Sequence, residues 1–170
     1  VYSPNPQHRK SFAREMGKKL GLNVIPVNDA ENAVRNSDIV VTATSSKTTV
    51  LNGDWLMEGV HINAIGAHTP DTRELDDETI KKSKIVVDSR EAALKEAGDI
   101  IIPLNQKLVS KNSIYAEIGE IILGKKKGRT SQKEVTLFKS VGLAVQDVAV
   151  AKIVYEKAKK LGLGKEVELS

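Results

Sequence analysis

The residues best suited to chemistry crowd into one stretch, HINAIGAHTPDTRELDDE, from His61 to Glu78. It passes from apolar, β-rich sequence into Gly66, a histidine, a proline turn and a cluster of acids. A strand that stops on glycine and hands over to a polar turn presents backbone to a ligand, because glycine lets that ligand approach the main chain closely. A histidine titrates near neutrality, so at a strand end His68 is placed to donate or relay a proton; a hydrogen-bonded turn histidine fits the same position. Asp71, Arg73 and Glu74 read as residues that fix the turn and cap the next helix, and His61 as a strand residue. Thr44 and Ser45 close a second apolar run, at the point where open α/β sheets bind ligands and where plain strand-end capping also places such residues. No spacing of His, Asp and Glu resembles a metal site, so chemistry without a metal is the consistent expectation.

The elements that must position these residues alternate in type. Val1 and Tyr2 read as the end of a strand, and SPNP behind them is turn chemistry. From Gln7 to Leu20 the residues Phe12, Ala13, Met16 and Leu20 recur at helical spacing, with Gly21 as the stop. NVIPV (Asn23 to Val27) reads as an edge strand, because Pro26 lacks an N–H for the ladder. Asp29 caps a short helix, and the continuous apolar run of DIVVTATSS (Asp38 to Ser46) predicts a strand buried on both faces. HINAIGA and KIVVD repeat the strand pattern around the helical LDDETIKKS, and Ser89 opens a helix closed by Gly98. SIYAEIGEIILG reads as a helix ending at Gly124, EVTLFKS as a strand, and GLAVQDVAVAKIVYEKAKKLG as a long helix. The βαβα alternation implies a parallel sheet covered by helices. The last helix is apolar on more than one face, as expected of a fully buried helix or of one covered by a second domain or partner subunit.

Composition sets the bounds. With 170 residues, 40% hydrophobic and 28% charged, the chain is long enough for a substantial core. It has no cysteine, hence no disulfide framework or thiolate metal site. No apolar run approaches the roughly 20 residues of a membrane helix and no leader pattern opens the sequence, so the expected location is cytoplasmic. Net charge is +4, but 26 basic residues are interspersed with 22 acids; the one basic block, GKKKGR (Gly124 to Arg129), lacks aromatics for stacking and reads as a solvated turn, not a nucleic-acid site.

Five segments, SDIVVTATSS, HINAIGAHTPDTRELDDE, VDSREAALKEAGDI, AEIGEIILG and TLFKSVGLAVQDVAVAKIVY, occur in the order and at the spacing of one family. Across essentially its whole length the chain resembles the ornithine cyclodeaminase and mu-crystallin family, which also holds archaeal alanine dehydrogenases and ketimine reductases. The pattern GAxxPDxREL of the ketimine reductase branch is met by Gly66, Ala67, Pro70, Asp71, Arg73, Glu74 and Leu75.

The resemblance implies an α/β fold with a Rossmann-type doubly wound parallel sheet. Gly17, Gly21, Gly142, Gly162 and Gly164 do not form the G-x-G-x-x-G turn. Val1 is therefore expected to lie in the second Rossmann strand, the first strand and its Gly-rich turn being absent from these 170 residues. In strand order 3-2-1-4-5-6 that first strand is central, so the chain is expected to be the C-terminal portion of an enzyme of about twice the length. Residues 1–141 would form the NAD(P)-binding domain, and 142–170 a helix returning to a substrate and dimerisation domain. The implied activity is NAD(P)-dependent reduction of the C=N bond of a small α-imino acid, by a ketimine reductase or an alanine dehydrogenase-like enzyme. Ornithine cyclodeamination, in which an aspartate stands at the position of His68, and a non-catalytic mu-crystallin-like ligand-binding protein are the alternatives. His68 takes the catalytic, substrate-contacting position. Ser3, Asn5, Thr44, Ser45, Ile65, Gly66 and Ala67 correspond to dinucleotide contacts, and Ser140 and Val141 to a hydroxyl for the nicotinamide carboxamide and backbone for the substrate. At the ribose, Ser3, Asn5 and nearby Arg9 would tolerate or bind a 2′-phosphate, which favours NADP over NAD; turn residues ahead of a helix fit the same stretch. Lys139 could attract a substrate carboxylate, and a solvated strand-end charge is the preferred expectation for it. A lysine and an arginine that hold the substrate carboxylate in the family belong to its other half. A homodimer follows from the family's habit and the apolar last helix.

Overall fold

Two side-chain caps start the first helices. The Asn5 carboxamide oxygen accepts the N–H groups of Gln7 and His8, Pro6 follows at the first helical position, and α1 runs Pro6–Leu20 to a left-handed Gly21. Asp29 caps α2, Ala30–Val34, in the same way. The computed structural model describes residues 1–165 and 167. The expected edge strand at 23–27 is only extended chain. It meets the first residue through two backbone bonds, Val1 N to Ile25 O at 2.7 Å and Val27 N to Val1 O at 3.0 Å, and joins no sheet.

Five parallel strands form the sheet among the described residues: β1 Ile39–Thr42, β2 His61–Ala64, β3 Lys84–Val87, β4 Ile114–Glu117 and β5 Thr136–Lys139, in spatial order β1-β2-β5-β3-β4. The last strand in sequence is thus inserted between β2 and β3, where Leu137 faces Ile62 on one side and Ile85 on the other. That insertion departs from the expected 3-2-1-4-5-6 order. Between the strands run α3 Asp77–Lys82, α4 Arg90–Glu96, α5 Gly98–Asn105 and α6 Ile118–Ile122. Beyond β5 stands α7, Ala144–Lys160.

The core lies on one face of the sheet. Val40, Ile62, Ala64, Leu137, Ile85, Val87 and Ile114 meet Leu51, Leu75, Ile80, Ala93, Ala97 and Ile100. Each fully buried aliphatic side chain contributes about 1.5–3 kcal/mol. The other face is open over β1: Ile39 and Val41 are 64% and 61% exposed, so this strand alternates instead of being buried on both faces. Two further expectations change. Residues 114–117 form a strand, not the start of a helix, because Ile114 and Ala116 pack beside β3; and Gly98 opens α5 instead of closing α4. A Cβ at Gly98 would fall on the carbonyls of Thr69 and Thr72, so only glycine lets α5 start there.

The basic stretch is partly tied down. Lys84 donates to Gly128 O at 2.8 Å, lies 3.2 Å from Glu134 and sits 4.3 Å from the Tyr115 ring centre, while Arg129 donates to Gly59 O and to the Thr136 hydroxyl. The Thr130 N–H and the Lys84 ammonium hold the Glu134 carboxyl below its usual 4.5. A lowered folded value means stability that is complete above pH 4.5 and lost as pH falls through the folded value. Glu134→Gln is therefore expected to flatten the acid limb of melting temperature against pH and to leave the neutral limb parallel to the parent; an unchanged acid limb contradicts it.

Candidate functional site

Because all five strands are parallel, their carboxyl ends share one edge, and the loops leaving them line a common crevice. After β1, Thr44 and Ser45 are exposed in a hydroxyl-rich loop, where Ser46 N donates to Thr44 Oγ1 at 3.1 Å and Ser46 Oγ to Thr48 O at 2.8 Å. After β2, Ile65 is half exposed, Gly66 partly covered, Ala67 buried and His68 exposed. His68 Nδ1 lies 3.0 Å from Gly66 O. A carbonyl only accepts, so Nδ1 carries the proton of that bond and Nε2 is left outward, an acceptor in the neutral ring and a donor in the cation.

Beneath the crevice lies a charged network that the sequence alone did not reveal. Glu74, Asp99 and Lys139 are each 0% exposed. Glu74 Oε1 accepts Thr44 N at 2.6 Å and its Oε2 accepts Gly66 N at 2.9 Å, so one carboxylate holds the loops after both β1 and β2. Asp99 Oδ1 accepts the N–H groups of Glu74 and Leu75 at 2.8 and 2.9 Å. Its Oδ2 faces Lys139 Nζ at 3.1 Å without a directed hydrogen bond, so that attraction is coulombic. Lys139 directs its hydrogens to Ala67 O at 2.5 Å and Ala64 O at 3.3 Å. It is therefore no solvated strand-end charge and is closed to a substrate carboxylate. Removing one partner of such a buried pair costs on the order of 3–5 kcal/mol. Helix capping falls to Asp76, while Arg73 binds Leu75 O and Asp77.

A second carboxylate governs the segment after β5. Asp88 Oδ2 accepts the Ser140 hydroxyl at 2.8 Å and the N–H groups of Val141 and Gly142 at 2.9 and 3.0 Å. Ser140, 8% exposed, thus has its proton committed to Asp88 and accepts Gly142 N at 3.2 Å, which leaves one oxygen lone pair for a carboxamide. Val141 is half-buried beside it.

Across the β1 edge the structure brings Ser3 opposite Thr44 and Ser45, along a trench of about 780 Å³. Asn5 is turned onto its own helix as the cap. Arg9 is buried, with one guanidinium nitrogen on Ser3 O and another on Asn28 Oδ1, both at 3.0 Å. Thr42, 6% exposed beside the trench, has a hydroxyl with no hydrogen-bond partner among the described residues. The hydroxyls of Ser3, Thr44 and Ser45, at the carboxyl end of β1 and facing it, suit a polar ligand such as a dinucleotide.

Comparison with known proteins agrees. The model of the ornithine cyclodeaminase/mu-crystallin family matches residues 1–162. A Delta(1)-pyrroline-2-carboxylate reductase of Bacillus cereus is 43% identical over 169 residues, 99% of this chain and 52% of that protein. The structure of Thermococcus litoralis Delta(1)-pyrroline-2-carboxylate reductase in complex with NADH and L-proline superposes with a TM-score of 0.95 at 50% identity, covering 98% of this chain and 52% of that one. An archaeal alanine dehydrogenase dimer with bound NAD gives 0.90 at 41% identity, covering 99% and 52%. The chain thus spans about half the length of the relatives it matches.

A Cβ on Gly66 would fall on Glu74 Oε1 and the Thr44 backbone, so this glycine makes room for the buried carboxylate. Gly66→Ala is expected to lower stability by about 1–3 kcal/mol in urea unfolding, the usual cost of overpacking; a neutral result would show that the carboxylate is not held as described.

Proposed function

Because the chain belongs to the ornithine cyclodeaminase/mu-crystallin family, we propose that it forms the dinucleotide-binding portion of an oxidoreductase that reduces the C=N bond of a small α-imino acid. The observation that carries this is the turn Gly66–His68 at the carboxyl end of β2, where His68 is exposed and its Nδ1 is held by Gly66 O, leaving Nε2 free. A bound nicotinamide dinucleotide would supply hydride. Ser3, Thr44 and Ser45 would hold its adenosine side, and Ile65, Gly66 and Ala67 would lie under its nicotinamide, with Ser140 and Val141 beside them. His68 in its cationic form donates a proton from Nε2 to the substrate nitrogen, while the Gly66 carbonyl keeps the ring oriented. A cyclic ketimine of the pyrroline-carboxylate kind is the favoured substrate, given the activity named for the relatives; the imine of a keto acid with ammonia is second, given the alanine dehydrogenase likeness.

For the cofactor, Ser3 offers no carboxylate to repel a 2′-phosphate, which supports use of NADPH. The Arg9 guanidinium is engaged by Ser3 and Asn28, which supports tolerance of that phosphate more than selection for it. Among the described residues no helix is long and apolar enough to cross a membrane.

We also propose that 1–141 is a nucleotide-binding domain whose trench takes a further parallel strand. Among the described residues β1 pairs only with β2, so the backbone groups of Ile39 and Val41 point into the trench. Val1 bonds the 25–27 segment with both its N–H and its C=O, so those of Tyr2 face the trench from the other side. α7 has no buried residue, and Val145, Val148, Ile153 and Tyr155 are more than 60% exposed, which supports a role for it in a second domain and a dimer. The expectation for 142–170 also takes in residues 166 and 168–170, which lie outside the described residues.

The test uses the natural polypeptide containing these residues. Reduced dinucleotide oxidation is measured with pyrroline- and piperideine-2-carboxylate and with pyruvate plus ammonia, and ammonia release is measured with ornithine on the oxidised cofactor. Turnover of a cyclic imine is expected, and His68→Ala should lower kcat by about 10²–10⁴-fold with dinucleotide affinity retained. Cofactor binding without turnover of any imine would instead favour a ligand-binding protein, and turnover of ornithine a cyclodeaminase.

A further inference from the structure

We propose that Glu74, Asp99 and Lys139 are positioning residues of the dinucleotide crevice: a buried carboxylate fixes the separation of two loops, and a buried ion pair fixes the seat of the histidine-bearing turn. This rests on the dinucleotide-binding function proposed above.

The geometry forms a closed circuit. Glu74 gives one oxygen to the loop after β1, at Thr44 N, and the other to the loop after β2, at Gly66 N. Glu74 is itself pinned on both sides, since its N–H goes to Asp99 Oδ1 and its carbonyl accepts Val50 N at 2.7 Å and Leu51 N at 3.0 Å. Asp99 is brought there by the close seat of Gly98 on the 69–72 turn, where Gly98 N donates to Thr69 O at 3.2 Å. Lys139, at the end of the central β5, pairs with Asp99 and donates to Ala67 O, one residue before His68. The three charged side chains are buried and the amides of Thr44 and Gly66 lie at the edge of that buried region, so little water competes for the bonds and they are stronger than at the surface.

Two consequences bear on the ligand. The N–H groups of Thr44 and Gly66 are turned inward to Glu74 and are not available to a phosphate. The Thr44–Ser45 side and the Ile65–His68 side are held together by the end of the β1–β2 ladder, where Thr42 O accepts Ile65 N at 2.9 Å and Gly66 N at 3.3 Å, and one step further on by the span of a single carboxylate.

The experiment uses the natural polypeptide with three variants. Amide hydrogen exchange at Thr44 and Gly66, melting temperature, and KM for dinucleotide against kcat are measured for each. Glu74→Gln keeps shape but offers one acceptor to two donors, so at least one of the two amides should exchange about tenfold to a hundredfold faster and dinucleotide KM should rise about tenfold. Lys139→Met leaves Asp99 buried and unpaired, and should lower the melting temperature. Lys139→Met with Asp99→Asn removes both charges and keeps an acceptor for Glu74 N and Leu75 N; it should recover the melting temperature while KM stays raised, because Ala67 O still lacks its donor. Recovery of KM together with stability would show that the pair only holds the fold and would overturn its positioning role. Unchanged exchange at Thr44 and Gly66 in a folded Glu74→Gln would overturn that of Glu74. If Glu74→Gln does not fold, the double variant decides alone. A parent chain that binds no dinucleotide would sink the functional reading, and the exchange rates would still decide whether Glu74 holds the two loops.

Discussion

A carboxylate removed from water must find its donors inside the protein, and Glu74 finds both of them on backbone at the candidate site. That one requirement organises the carboxyl edge of the sheet. It calls for Gly66, since a side chain there would occupy the space of the carboxylate, and it draws the loops after β1 and β2 to a common depth. Asp99 and Lys139 extend the constraint to α5 and β5, so the insertion of β5 between β2 and β3 is also what brings an ammonium beneath the Ala67 carbonyl.

Asp88 acts in a comparable way on the chain leaving β5. By accepting from Ser140, Val141 and Gly142 it bends the chain out of the sheet towards α7. The two acids leave different things in the crevice. Around Glu74 the exposed groups are the Thr44 and Ser45 hydroxyls and the His68 ring, while around Asp88 the Ser140 hydroxyl is drawn inward. A polar floor with an exposed histidine at its rim suits chemistry in which a bound cofactor does the redox step and the protein orients and moves a proton.

Much of this was legible in the sequence. Strand and helix alternation gave the parallel sheet, the caps at Asp29 and Ser89 fell at helix starts, and the glycine-bearing turn fell at the carboxyl end of a strand, whereas Asn5, read as a cofactor contact, caps α1. What escaped were long-range pairings. Local pattern cannot say which strand lies beside which, so the place of β5 was missed, and a continuous apolar run in β1 hid a face left bare. Lys139 did carry a signal: it stands two residues after Leu137, and a period of two puts both on the buried face. Glu74 and Asp99 carried none by themselves, since an acid in a turn and an acid at a helix start are normally solvated. Only the fold shows that each meets backbone N–H groups far away in the chain.

The most direct measurement is a crystal structure of the natural polypeptide with reduced dinucleotide bound. The account predicts the nicotinamide beside Ile65–His68, both Glu74 oxygens still on the amides of Thr44 and Gly66, and a parallel strand between β1 and Tyr2. A dinucleotide seated away from these strand ends, or a Glu74 carboxylate turned out to the ligand, would contradict it.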